Sequence, residues 1–449
     1  MKKIIKILVF ALPVTCYLLP VYCSAQIITT IAGTGTAGYT GNGGQATAAN
    51  MYGAEGMIFD NMGNLYFADV GNSAIRMINT NGIITTITGG NGPLSYGGDG
   101  GPATNAKLAE PTYVVFDMVG NILVADDNNG IIRRINTAGI INTIAGMPQL
   151  NGYGGDGGQA TNAYLNHPTS VICDNSGNIF IDDGGDFRVR KVNTSGIITP
   201  FAGDGVHGNN GDGGQATLAK LEGASSIVFD MNWNLYIGTE FNIRKVDTNG
   251  IISTIAGGVV PGYSGDGGQA TNAELDNIDA MVFDNAGNLF IADASNNVVR
   301  KISTAGIITT IVGNGYGAGA ATGGYSGDGG PATAAELFYP KGLTFDAQGN
   351  LYIGDYENNV IRKVSNVGSM GIAQVRMQNA ECRMWPNPTS TILNVECRIQ
   401  NEKAEVQIMD VLGNVIISTK EKEIDVSSLT NGVYFIRVGS ATQKIIIQH

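Results

Sequence analysis

Histidine is almost missing from this chain. Three occur in 449 residues, and only His167 and His207 lie before the last position. A catalytic zinc needs three protein ligands and an open position, and a Ser/His/Asp triad needs a base held beside its nucleophile. Two histidines in adjacent loop segments supply neither. Charge is scarce too, at 14% of residues, and it leans acidic, with a formal net charge of −12. Nucleic-acid binding requires a basic footprint, so this balance argues against it. Beyond residue 25 no apolar run is long enough to span a bilayer. Cysteine numbers five. Cys16 and Cys23 fall in the first 25 residues, Cys173 stands alone, and Cys382 and Cys397 could pair in an oxidising space or remain free.

The first 25 residues read as a secretory leader. Lys2, Lys3 and Lys6 precede an apolar run from Ile7 to Leu19, and Cys23-Ser24-Ala25 supplies small residues at the cut. The protein is therefore expected to be exported. Acids and bases balance across residues 371–449, so the acidic excess belongs to the middle of the chain.

That middle is a sixfold repeat. The phrase IISTIAG, a glycine loop GYSGDGGQATNAEL, then MVFDNAGNLFIAD, then NNVVRKISTAG recurs with opening residues Ile27, Ile83, Ile140, Ile197, Ile251 and Ile307. A fixed period of this size marks a repeat architecture built from one supersecondary unit. Each period holds four short β-branched or aromatic runs. Asp-x-x-Gly-Asn turns, as at 284–288, join two of them, and Thr-x-Gly turns close the last. Four-stranded meanders arranged radially make a β-propeller. The ends of the array say how it closes. Residues 27–33 form a first phrase with nothing before it, and 361–364 form a last phrase with no IITTIAG strand after it. The N-terminal strand is expected to complete the sixth blade, leaving no free edge.

GNLYIGD, NNVIRKV and the IITTIAG strand between repeats resemble the NHL-repeat propellers across residues 27–365, and GDGGQATxAxL resembles a subset also seen in teneurin-type ectodomains. The resemblance implies an all-β, six-bladed propeller and says little about function, because one fold hosts many activities. After a linker at 366–382, residues 383–449 resemble the C-terminal sorting domain of the type IX secretion system of Bacteroidota. The matching positions are Pro386-Asn387-Pro388, a turn ending at Gly413, an approach to Leu429, and Gly432-Val433-Tyr434. This likeness implies a small immunoglobulin-like β-sandwich, recognition by the type IX machinery, and delivery to the cell surface or beyond.

Two sets of acids could carry chemistry. One sits in the glycine loops, at Asp99, Asp156, Asp212, Asp266 and Asp328, with Asn42 in the first repeat. The other follows the second strand, at Asp69, Asp126, Asp183, Asp293 and Asp355, with Thr239 in the fourth. If the two sets gather at one mouth of a central channel, Asp126, Asp183 and Asp293 are candidate calcium ligands, since clustered carboxylates suit a hard cation. Their repetition instead suits turn caps and pairing with the arginine seven residues on, as Asp69 with Arg76. The Asp in each glycine loop also opposes a phosphate cradle. The reading is a secreted or surface-attached module that binds protein or glycan, with no required cofactor. A calcium-dependent lactonase- or lyase-like propeller enzyme is the alternative. Trp233, in the irregular fourth repeat, is a candidate aromatic platform.

Overall fold

The computed structural model describes residues 26–90, 94–365 and 367, together with 382–385, 392–397, 406–410, 415–419, 423–438 and 441–447. The leader, most of the linker, Pro386-Asn387-Pro388 and Gly413 lie outside the described residues.

Six four-stranded antiparallel sheets account for the repeat array. Sheet 1 runs Ala54–Phe59, Leu65–Asp69, Ala74–Ile78 and Ile84–Gly89. The first strands of sheets 2 to 6 are Pro111–Phe116, Pro168–Cys173, Ser226–Phe229, Ile278–Phe283 and Pro340–Phe345. Each first strand touches the first strand of the next sheet, and that of sheet 6 touches that of sheet 1, which gives a propeller-like ring. In sheet 6 the outer strand is Ile28–Ala32, which pairs antiparallel with Val360–Val364 in the register Ile28↔Val364. The first strand of the array thus completes the last sheet.

The core lies between sheets. Strands such as Leu289–Asp293 are buried at every position, because both faces of each sheet are covered by neighbours. One cluster joins Ile172, Phe180 and Val189 of sheet 3 to Ile227, Leu235 and Ile237 of sheet 4. Edge-to-face aromatic pairs stitch successive sheets, as in Tyr66–Phe116 at 5.1 Å and Phe290–Phe345 at 5.0 Å. Phe59–Tyr352 at 4.8 Å does the same where the ring closes. Such pairs add about 0.5–1.5 kcal/mol beyond the area they bury. Between sheets 2 and 3 this pairing is replaced: Cys173 stands where other repeats have Phe, is 5% exposed, and rests its thiol on the carbonyl of Phe116.

The glycine loops cover the outer edges. Before sheet 5, Gly267 N–H donates to Ile308 O at 2.8 Å and Ile308 N–H to Gly268 O at 3.0 Å. The side chain of Asp266 then accepts the next free N–H, from Thr310, at 2.9 Å. An outer strand would otherwise present unpaired groups to other chains. The loop must double back tightly to do this. At Gly265, with φ +89°, a Cβ would lie 2.7 Å from the Cα of Ala273.

At the C-terminus, Cys382–Trp385, Ile392–Cys397 and Glu423–Asp425 form one sheet, and Val406–Met409, Val415–Thr419, Gly432–Val438 and Ala441–Ile447 form another. Ile424 of the first and Ile408, Tyr434 and Ile436 of the second share one buried cluster with Leu429. Tyr434 Oη donates to the carbonyl of Thr430 at 3.0 Å, which pins the approach to the strand opened by Gly432 and Val433. Cys382 and Cys397 stand directly opposite in register.

Candidate functional site

The repeated aspartates meet, but around arginines and one sheet at a time. Arg76, Arg133, Arg190, Arg244, Arg300 and Arg362 are all 0% exposed. In sheet 5, Arg300 Nη1 donates to Glu274 O at 2.9 Å and to Asp293 Oδ2 at 3.3 Å. Its Nη2 donates to Ser264 O and to Asp266 Oδ1, each at 2.6 Å. The Tyr263 ring lies over it with its centroid 5.3 Å away. Asp293 Oδ1 accepts from Asp276 N–H at 2.9 Å and Asn296 Nδ2 at 2.8 Å. Both carboxylates are therefore engaged by local donors.

Asp126 and Asp183 stand in the same way, each in its own sheet. Asp126 accepts from Ala109 N–H at 2.7 Å and Asn129 Nδ2 at 2.9 Å; Asp183 accepts from Asn166 N–H at 2.6 Å and pairs with Arg190 at 3.3 Å. The structure does not bring Asp126, Asp183 and Asp293 together. Among the described residues no group of three or more His, Cys, Asp or Glu is placed to hold a metal. The glycine-loop aspartates depart from the expected role as caps of their own turns. They reach instead to the arginine of the sheet that follows and, except for Asp156, to an outer-strand N–H, 34 and 44 residues on for Asp266.

Two carboxylates compete for one guanidinium in sheets 2, 3, 5 and 6, and burial decides the outcome. Desolvation pushes Asp126, Asp183, Asp293 and Asp355 up to about 7. Against a smaller desolvation, hydrogen bonds from Thr310 and Arg300 hold Asp266 below the usual carboxylate range. Sheets 1 and 4 carry a single one of these carboxylates. Asn42 replaces the loop Asp and still accepts Thr86 N–H at 2.7 Å, while Thr239 replaces the buried Asp and donates to Glu222, 3.4 Å away. These hubs are structural devices, repeated because every sheet needs one.

Repetition fails along the axis. The first strands of all six sheets wall a cavity of about 730 Å³ at the end carrying the Asp-x-x-Gly-Asn hairpins. Met57, Val115, Ile172, Val228, Met281 and Leu343 line it, with Asp60, Asp284, Asp346 and Lys363 around it. Beside it stands Trp233, 40% exposed, its ring 5.4 Å from that of Phe229, which lines the cavity. Trp233 has φ +63°, where the corresponding hairpin residues include Gly63 and Gly287 at φ +84° and +82°. A non-glycine residue in this region stores strain, and such strain tends to mark functional positions.

Toward the other end, the position four residues before each repeat's Phe (or Cys173) reads Glu55, Thr112, Thr169, Ser225, Asp279 and Lys341. It is the strand-entry position whose charge changes from repeat to repeat. Thr112, Thr169, Asp279 and Lys341 are the extra residues of β-bulges, and a bulge re-aims its side chain. Lys341 Nζ lies 3.6 Å from Asp279 Oδ2 and 4.6 Å from the centroid of the Tyr356 ring. Desolvation raises Glu55 to about 7, with Lys341, Asp279 and Asp127 acting on it through their charges and no hydrogen bond contributing. These four groups come from sheets 1, 2, 5 and 6, which follow one another round the ring. Desolvation likewise raises Asp127, to about 6, although His167 Nδ1 lies 3.1 Å from its Oδ1. Sequence reasoning missed Glu55, Asp127, Asp279 and Lys341. The signal that could have found Glu55, Asp279 and Lys341 was the strand-entry column that breaks the repeat; Asp127 lies in another varied column, directly after the buried Asp. One further oddity lies near it. Asp182 occupies a position that is Ala or Gly in the other repeats; one oxygen accepts from Thr169 Oγ1 at 2.9 Å and the other has no partner.

Comparison with known proteins agrees with this architecture. Residues 383–448 match the secretion system C-terminal sorting domain, and residues 30–96 and 146–209 match the teneurin NHL domain. Teneurin-1 of Gallus gallus is 31% identical over 249 residues, which is 49% of this chain but 9% of that protein. Two solved structures share the fold: auxiliary nutrient binding proteins from Bacteroides ovatus and Bacteroides thetaiotaomicron, with TM-scores of 0.56 and 0.55. They are 17% and 16% identical to this chain, with 76% of each chain covered. The chain thus carries NHL repeats in a β-propeller and a sorting domain of the type that marks export through the type IX system to the cell surface or extracellular space. No helix among the described residues is long and apolar enough to cross a membrane.

Proposed function

We propose that the chain is an exported six-bladed propeller that binds a protein or glycan without transforming it, and that the ligand engages the axial channel. The observation carrying this reading is the cavity of about 730 Å³ walled by apolar side chains from all six sheets. That volume suits a binding pocket, and the acids that repeat around the ring are consumed by its arginines or by their own hairpin turns. In this reading residues 26–365 form the propeller, 366–382 tether it, and 383–449 form a sandwich that serves export. Pro386, Asn387, Pro388, Gly413, Leu429, Gly432, Val433 and Tyr434 would be the positions that the machinery reads or that shape what it reads. The nutrient binding proteins that share the fold are compatible with a binding role and do not identify a ligand.

A second reading, a propeller enzyme, draws on Glu55, a strand-entry carboxyl raised to about 7 by desolvation, since general bases work near neutrality. Binding of the mature chain to glycan and surface-protein arrays, with and without calcium, tests the first reading. Selective, calcium-independent capture is expected. Failure to capture anything, together with turnover of lactone or ester substrates that Glu55→Gln abolishes, would replace it with the second.

A further inference from the structure

We infer that Cys382 and Cys397 form a disulfide that clips the entry hairpin of the sorting domain and fixes the Pro386-Asn387-Pro388 segment for the export machinery. The placement comes from the sheet. Cys382–Trp385 pairs antiparallel with Ile392–Cys397, and the register sets Cys382 directly opposite Cys397. Opposed residues of an antiparallel pair hold their Cα atoms about 4.5 or 5.5 Å apart. A disulfide spans roughly 4.4–6.8 Å between Cα atoms, so either kind of pair meets its requirement. The cysteines stand at the open end of the hairpin, and residues 386–388 fall inside the loop that the bond would seal.

The local structure calls for such a clip. Cys382–Trp385 is an edge strand of four residues with one neighbour in its sheet, and a short strand with a single partner is marginal in water. Cys382 directly precedes the matched sorting domain, so the bond ties the end of the linker to the domain's second strand. The domain itself, residues 383–448, is of the size at which natural folds add disulfides to a limited core. In the chain-entropy account, closing a loop of about 15 residues favours the folded form on the order of a hundredfold.

Export through the cell envelope supplies an oxidising compartment. There one cysteine thiolate attacks the disulfide of a dithiol oxidant and forms a mixed disulfide. The other thiolate then displaces the oxidant, which leaves with two electrons, and the two protons end on its thiols. Cys173 stands apart from this chemistry, because it is 5% exposed and its thiol rests on the carbonyl of Phe116.

The chain without its leader carries three cysteines, so alkylation under denaturing conditions counts the bond directly. Full-length chain from the cell envelope, acid-quenched at harvest, should take up one iodoacetamide group before reduction and three after it. Trypsin cuts after Arg376, Arg383 and Arg398, so peptides 377–383 and 384–398 should appear as one linked species until reduced. Three alkylated thiols before reduction, or a bond joining two chains, overturns the clip. Replacing both cysteines by serine should lower the fraction reaching the surface or the medium severalfold. Cys382→Val with Cys397→Val, which keeps a β-branched cross-strand contact without the bond, serves if the serine pair is degraded before export. Export of the bond-free chain at the level of the parent overturns the role in recognition and leaves the bond as a structural clip.

Discussion

Asp266 allows the edge-covering device to be dissected, because two other repeats already carry its control variants. Replacing Asp266 with Ala removes three interactions. Thr310 N–H loses an acceptor at 2.9 Å, and Arg300 loses contacts from Nε at 3.1 Å and from Nη2 at 2.6 Å. The backbone bond is to a charged acceptor, worth about 1.5–3 kcal/mol when buried. It lies at the surface, however, and the Asp266 side chain is 40% exposed, so solvent replaces part of each interaction. Arg300 also retains Asp293, which would ionise more readily once it no longer competes. A total cost of about 1–3 kcal/mol follows.

Asp266→Asn should cost less, about 0.5–1 kcal/mol, because Asn42 shows that an amide can hold the outer strand, accepting Thr86 N–H at 2.7 Å. Asp156→Ala should also cost less than Asp266→Ala. The outer strand of sheet 3 has Pro200 where sheet 5 has Thr310, and proline offers no N–H, so Asp156 serves only Arg190 and Tyr153. Urea unfolding of the three variants, followed by far-ultraviolet circular dichroism, gives the order directly. If Asp266→Asn is as damaging as Asp266→Ala, or Asp156→Ala as damaging as either, the strand bond is not what the loop aspartates contribute.

Acidity should move stability in a direction opposite to that of most proteins near neutrality. Asp126, Asp183, Asp293 and Asp355 titrate near 7, and Asp182 near 8, against an unfolded value of about 3.9. The folded state therefore binds more protons than the unfolded state between roughly pH 4 and 8, and stability falls as pH rises through that window; a higher melting temperature at pH 8.5 than at pH 6 would contradict this. Asp182→Ala, which restores the residue found in sheets 1, 2 and 5, should stabilise by about 1–3 kcal/mol at pH 8.5 and by less at pH 6. Deleting residues 26–33 strips the strand paired with Val360–Val364 and exposes its edge, so the cooperative transition should vanish or the protein aggregate. An unchanged melt would show that closure does not depend on that strand. Removing residues 385–449 should leave a folded propeller inside the cell envelope, and its appearance at the cell surface or in the medium would refute the role of the sorting domain.

What the sequence determined by itself is whatever a few neighbouring residues enforce. Asp284, Gly287 and Asn288 make the hairpin wherever they occur, because the Asp side chain accepts the N–H groups two and four residues on, at 2.9 Å each. Repetition of that unit, with Ile27 opening a strand that has no predecessor and Val364 closing one that has no successor, was enough to specify the ring and its closing strand. The sorting domain was equally legible, as an ordered series of short motifs. Tertiary structure decided the roles of the charges. Asp266 sits in a glycine loop like any turn cap, yet its partners lie 34 and 44 residues away, and only the docking of that loop along the next sheet's edge selects them. Asp126, Asp183 and Asp293 looked like one acidic mouth because the repeat aligns them; burial against separate arginines divides them. Glu55, Asp279 and Lys341 looked unrelated, scattered over nearly 290 positions. Closing the ring brings six strand entries to one axis, and there a lone charge feels those from other sheets with little water between them.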